Sequence, residues 1–201
     1  MGKNFKTIDT AVIRFAGDSG DGMQLTGGRF TETTAIVGND LSTLPDFPAE
    51  IRAPAGSLAG VSAFQLKFSS KDIHTPGDKP DVLVAMNPAA LKVHQKDLIP
   101  GGTIIANTDA FSKKNLNFAG YDTNPLEDGS LDDYFTVIPI DMNKMVKAAC
   151  DDLDLNGKLV LRTKNFFALG VLFYMYDRPM DATEQWLKKK FAGKDDIIEA
   201  N

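Results

Sequence analysis

Residues 11–16 form a short apolar run containing Val12 and Ile13, followed at once by Gly17-Asp18-Ser19-Gly20-Asp21-Gly22. Beyond the glycines, Met23, Phe30 and Val37 recur at helical spacing. A strand, a glycine turn and a helix in that order point to an α/β architecture. Glycine suits the turn because it tolerates positive φ and admits another group close to the backbone. The helix start beyond it offers free N–H groups and a partial positive charge, which attract phosphate or another anion. Strand ends are also a common place for glycine without any ligand, and the turn alone does not separate the two readings. The spacing is G-x-x-G-x-G, whereas the dinucleotide fingerprint is G-x-G-x-x-G. Asp18 and Asp21 place two carboxylates where a bare phosphate cradle has none, which suits hydroxyl or amide recognition or a partner's basic group. No P-loop lysine follows the glycines, so ATP hydrolysis is not indicated.

At 201 residues the chain can bury a sizeable core and is most simply one domain. Its net charge of −5, with no long basic cluster, argues against a nucleic-acid surface. Cys150 is the single cysteine, which excludes an internal disulfide and suits a reducing cytoplasm. The first ten residues are polar and mixed in charge, unlike a signal peptide. The longest apolar run, 166–176, is too short for the ~20 residues of a membrane span.

The first helix is expected over 22–37, stopping at Gly38-Asn39, with Gly27-Gly28 marking close packing. A short strand at 40–44 precedes the small-residue stretch 49–60, which holds Arg52. That stretch reads equally as a packed surface loop or as a docking loop in which Arg52 meets an anion. Residues 61–68 alternate, with Phe64, Leu66 and Phe68 on one side and Gln65 and Lys67 on a partly exposed other side. The continuous apolar run 81–86 reads as a parallel strand covered on both faces. Asn87-Pro88 then supplies an N-cap and a first-turn proline for a helix running through Leu91 and Leu98. Asn87 stands at the carboxyl end of its strand, where open α/β sheets bind ligands.

Strands at 103–107 and 136–140 bracket a turn-rich excursion, and Asp141 is placed to cap a helix carrying Cys150, a small core residue. The run 165–176 reads as a helix buried nearly all round. Asp181 and Glu184 are placed as a cap pair for a last helix with Trp186 and Leu187 inside and Lys188-Lys189-Lys190 outside. The units assemble into a three-layer α/β domain with a mainly parallel sheet. His74 falls in a polar loop and His94 on a helix surface, neither with acidic or cysteine neighbours at ligand spacing. With no H-E-x-x-H and no G-x-S-x-G elbow, the residues describe a binding domain more readily than a self-contained enzyme.

Four stretches, 15–22, 47–56, 80–88 and 164–170, together resemble the gamma domain of 2-oxoacid:ferredoxin oxidoreductases. The version they are most similar to is the one fused ahead of the alpha domain in 2-oxoglutarate-type enzymes, with Ser19 standing where many gamma domains carry glycine. The resemblance spans nearly the whole chain in order. It implies a Rossmann-like fold, with residues 1–201 forming one gamma-type domain. That domain is either the N-terminal part of a longer alpha subunit or a free-standing gamma subunit.

The implied activity is oxidative decarboxylation of a 2-oxoacid, 2-oxoglutarate on the fused branch, with transfer of the acyl group to coenzyme A and reduction of ferredoxin. Thiamine diphosphate, Mg and the iron–sulfur cluster then belong to partner alpha and beta domains, ferredoxin is reached through the complex, and the location is cytoplasmic. Coenzyme A is the ligand implied for this domain. Its candidate binding residues are Gly17, Asp18, Ser19, Gly20, Asp21, Gly22, Arg52 and Asn87, with no catalytic or metal-binding residue. An autonomous nucleotide-binding module without redox chemistry and a purely structural docking domain are the competing readings.

Overall fold

The computed structural model describes residues 6–47 and 60–201. In chain order it comprises β1 (Thr10–Asp18), α1 (Met23–Ile36), β2 (Asp40–Asp46), β3 (Val61–Ser69), β4 (Val82–Ala85), α2 (Pro88–His94) and β5 (Thr103–Asn107). There follow α3 (Lys113–Phe118), β6 (Thr136–Ile140), α4 (Met142–Ala149), α5 (Gly157–Arg162), α6 (Lys164–Met175), α7 (Asp181–Lys190) and α8 (Asp195–Ala200). The strands form one sheet in the order β2-β3-β1-β4-β5-β6. β1, β4, β5 and β6 pair in parallel, and β3 runs antiparallel between β1 and β2.

Both faces of the sheet are covered, as the period-2 side-chain alternation requires. Ile13, Phe15, Leu66, Phe68 and Val84 face one layer, where they meet Phe30 of α1 and Leu169, Leu172 and Phe173 of α6. Ala16, Leu83, Ala85, Ile104 and Ala106 face the other, against Ala90 and Leu91 of α2 and Leu116 of α3. Phe30 is fully buried and its ring lies 5.7 to 6.2 Å from those of Phe15, Phe68, Phe173 and Tyr176. Gly27 explains the close seat of α1, because a Cβ there would lie 2.1 Å from the Phe64 ring. Gly28 has nothing within 4 Å of the same position, so the close packing belongs to Gly27 alone.

Of the polar face expected on β3, Lys67 is partly exposed and Gln65 is not. Gln65 is only 2% exposed because β1 brings Arg14 beside it, and the guanidinium donates to Gln65 Oε1 from Nε at 2.9 Å and from Nη2 at 2.7 Å. His94, expected on a helix surface, is likewise buried. It sits 3.1 Å from Arg14 Nη1, which also donates to Asp97 at 2.6 Å. Arginine has only donors, so His94 Nδ1 accepts and the ring is neutral. Burial, and then the Arg14 charge, push its pKa down from 6.5 to about 4.

This shift makes stability depend on pH. The unfolded chain takes up the imidazole proton at a higher pH than the folded one, so the neutral histidine's contribution is complete above pH 6.5 and declines toward pH 4. The expected loss over that window is at most about 3 kcal/mol. Urea unfolding across the window checks it, and His94→Gln should flatten the slope.

Three local differences concern helix ends. α2 stops at His94 and passes into a 3-10 turn over Gln95–Asp97, shorter than the expected run. Asp141 does not cap α4 but accepts from the Thr108 hydroxyl, and Asp109 instead accepts from the N–H groups of Asn143 at 2.9 Å and Lys144 at 3.2 Å. The N-cap position of α7 is Met180 and makes no side-chain cap bond, so Asp181 and Glu184 are first-turn acids facing a positive helix end. Among the described residues, no helix is long and apolar enough to cross a membrane.

Candidate functional site

The parallel neighbours β1 and β4 send their following helices to opposite faces of the sheet, α1 to one and α2 to the other. A crevice opens outside their carboxyl ends, the usual ligand position in such sheets. The glycine turn and Asn87 stand at that crevice. Gly17, Asp18, Ser19, Gly20, Asp21, Gly22 and Asn87 are thus brought together, while Arg52 lies outside the described residues.

The turn is closed by its own aspartates. The Asp21 N–H donates to Asp18 O at 2.9 Å, and Asp21 Oδ2 accepts from the Asp18 N–H at 2.9 Å. Asp21 Oδ1 also meets Lys164 Nζ at 2.7 Å, tying the turn to the start of α6. Asp18 Oδ1 accepts from Asn87 Nδ2 at 2.8 Å, while Asn87 Oδ1 accepts from the Ala90 N–H at 2.8 Å and caps α2. One amide therefore bridges the two loops of the crevice. Burial and the nearby Asp21 carboxylate raise the Asp18 pKa, against the Asn87 hydrogen bond and the Lys164 charge, which lower it. The two carboxylates that weigh against a phosphate cradle in the sequence are in fact engaged within the protein.

Two of the glycines answer to geometry. A Cβ on Gly17 would lie 2.8 Å from Asp21 Oδ2 and 3.0 Å from Met86 Cβ. Gly22 adopts φ 76° as it opens α1, and a Cβ there would lie 2.5 Å from Asn165 Nδ2. Gly20 is different: with Ser19 it forms an exposed crest, and nothing lies within 4 Å of its Cβ position. α1 starts without a side-chain cap and without an acidic residue in its first turn. Its leading N–H groups are consequently left for solvent or an external acceptor.

Among the described residues no group of three or more His, Cys, Asp and Glu side chains is placed to hold a metal. The Cys150 thiol is buried, and burial followed by the Asp152 charge raises its pKa, the opposite of nucleophile activation. Lys164 and Asn165 touch the turn but carry no role in the sequence reading. The signal available for them was an asparagine heading an otherwise apolar helix.

A family profile described as "Pyruvate ferredoxin/flavodoxin oxidoreductase" matches residues 12–201. The chain is 54% identical over 194 residues to the 2-oxoglutarate oxidoreductase subunit KorA of Mycobacterium tuberculosis, covering 96% of the chain and 30% of KorA. It thus spans just under a third of that relative's length. Among solved structures, the 2-oxoglutarate:ferredoxin oxidoreductase of Magnetococcus marinus, bound to 2-oxoglutarate, coenzyme A and succinyl-CoA, superposes with a TM-score of 0.71 at 23% identity. The superposition covers 96% of this chain and 29% of that one. The gamma subunit of a keto/oxoacid ferredoxin oxidoreductase from Geobacter sulfurreducens gives 0.62 at 18% identity, covering 94% of this chain and 93% of that subunit. Both likenesses speak for the fold. The chain belongs to the pyruvate ferredoxin/flavodoxin oxidoreductase family, and its fold is that of a gamma subunit.

Proposed function

We propose that the chain is the gamma domain of a 2-oxoglutarate:ferredoxin oxidoreductase and that it holds coenzyme A for the acyl-transfer step of oxidative decarboxylation. The observation that carries this reading is the start of α1, which no side chain caps, beside the exposed Ser19-Gly20 crest in a chain 54% identical to KorA. Gly17, Asp21 and Gly22 shape the turn, Asp18 and Asn87 fix it against α2, and Ser19, Gly20 and Arg52 are the assigned ligand contacts. The coenzyme A bound in the Magnetococcus marinus enzyme supports this choice of ligand.

Among the described residues no group of three or more His, Cys, Asp and Glu side chains is placed to hold a metal ion. A single cysteine cannot by itself supply the thiolate ligands of a cluster. The reading therefore assigns thiamine diphosphate, Mg and the iron–sulfur cluster to alpha and beta domains, through which electrons reach ferredoxin in a reducing cytoplasm. In the assembled enzyme, 2-oxoglutarate, coenzyme A and ferredoxin should support turnover, while the chain alone should show none. Turnover by the chain alone, or calorimetry showing tight NAD or FAD binding in place of coenzyme A, would overturn the proposal.

A further inference from the structure

We infer that the opposite end of the sheet carries a second binding site, for a small dicarboxylate that also bears a hydroxyl or amino group. A cavity of about 660 Å³ lies there, at the amino-terminal ends of β1, β4 and β5, where Thr10, Val82 and Thr103 begin their strands. The glycine turn stands at the carboxyl ends, so the two sites share no residue. The volume is within the range of clefts that enclose a small molecule.

Arg178 is the group that calls for a ligand. Its guanidinium carbon sits 5.0 Å from the centroid of the Phe68 ring, a stacked position that fixes the planar fork. The Nε–H is buried without an acceptor, and the side chain makes no ion pair or hydrogen bond with any described residue. Its base is fixed as well, because the Arg178 N–H donates to Phe173 O at 2.8 Å and closes the end of α6. That closure runs through Asp177 at φ 53°, the single non-glycine residue with positive φ among those described. A guanidinium held rigidly over an aromatic ring with no partner matches the two oxygens of a carboxylate.

The other polar groups of the cavity set the rest of the ligand. Asp9 is paired with Lys71 Nζ at 2.6 Å, and Asp81 Oδ2 accepts from the Val12 N–H at 2.7 Å. Lys6 at the rim makes no ion pair with a described residue and can take a second carboxylate. Asn39 donates from Nδ2 to Ser69 O at 3.2 Å, whereas its Oδ1 is buried and accepts from nothing. Buried acceptors are normally satisfied, so Asn39 asks for a donor, which a hydroxyl or amino group on the ligand supplies. The Asp81 and Asp177 carboxylates in the lining favour a carboxylic acid over a more highly charged phosphate.

The test uses L-malate as the probe, measured by equilibrium dialysis against the assembled oxidoreductase in excess 2-oxoglutarate, which fills the substrate's own site. Malate should bind, succinate should bind more weakly for want of the hydroxyl, and butane-1,2,4-triol should not bind. Arg178→Gln should weaken malate binding by about tenfold or more, the scale of a lost charge-assisted hydrogen bond. Arg178→Lys should recover only part of the loss, since an ammonium lacks the fork. An unchanged kcat for 2-oxoglutarate in both variants shows that they fold and assemble. Malate should also slow the modification of Arg178 by phenylglyoxal, read by mass spectrometry of its peptide. No malate binding by the wild type, binding indifferent to Arg178→Gln, or triol binding as well as malate would each overturn the inference. Arg178 already protected from phenylglyoxal without malate would overturn it too, by showing that a carboxylate of another domain fills the cavity. None of these outcomes touches the coenzyme A reading, which stands or falls by its own test.

Discussion

Gly22→Val should destabilise the chain by about 3 kcal/mol and weaken coenzyme A binding in whatever fraction remains folded. Two effects add. Gly22 opens α1 at φ 76°, a left-handed conformation that adds about 1–2 kcal/mol of strain for a residue with a Cβ and is least tolerated by β-branched side chains. The new Cβ would also stand 2.5 Å from Asn165 Nδ2. The buried amide must then move, an overpacking effect of about 1–3 kcal/mol. Because Asn165 heads α6 and Lys164 beside it holds Asp21, the displacement reaches the whole turn. Gly28→Ala is the matched control: it lies inside α1 with open space at its Cβ position and should gain about 1 kcal/mol from helix propensity. Denaturant unfolding of the two variants, followed by the coenzyme A KM of the assembled enzyme, measures both halves of the effect.

Phe30→Ala should lower stability by about 3–5 kcal/mol, the range for removing a fully buried aromatic side chain. Its ring meets Phe15 on β1, Phe68 on β3, and Phe173 and Tyr176 at the end of α6, so it ties α1 to the central strands and to α6. Some of these pairs are tilted or edge-on, arrangements that add to simple burial. Phe30 lies two turns along α1 from the glycine turn and touches none of its polar groups. Under conditions that keep the variant folded, the KM for coenzyme A should therefore be unchanged. That contrast separates loss of the scaffold from loss of the site, which the Gly22 variant combines.

How much of this was legible beforehand follows from how local each signal is. The strand of Val82–Ala85 and the cap at Asn87-Pro88 are written in adjacent residues, and the structure has both. The glycine turn is equally local. Helices α3, α5 and α8 are six residues each, too short to display a period, and α5 carries two of the cations beside the turn. Asn156, whose side chain accepts from the N–H groups of Lys158 and Leu159, was the available sign of α5.

Polar pairing between distant segments has no local pattern at all. Arg14 draws Gln65, His94 and Asp97 into one partly buried network, so Gln65 and His94 became interior. Asp21 with Lys164, and Gly22 with Asn165, likewise join the start of the chain to its sixth helix. The two aspartates consequently read as obstacles to an anion in the sequence, and as part of the turn's own bonding in the fold.

The most direct measurement of the central claim is hydrogen exchange of the assembled oxidoreductase with and without coenzyme A. The account expects new protection confined, within this chain, to the amides of residues 18–25 and of the α5–α6 junction around residue 163. Protection that appears only in other domains, with these amides unchanged, would contradict it.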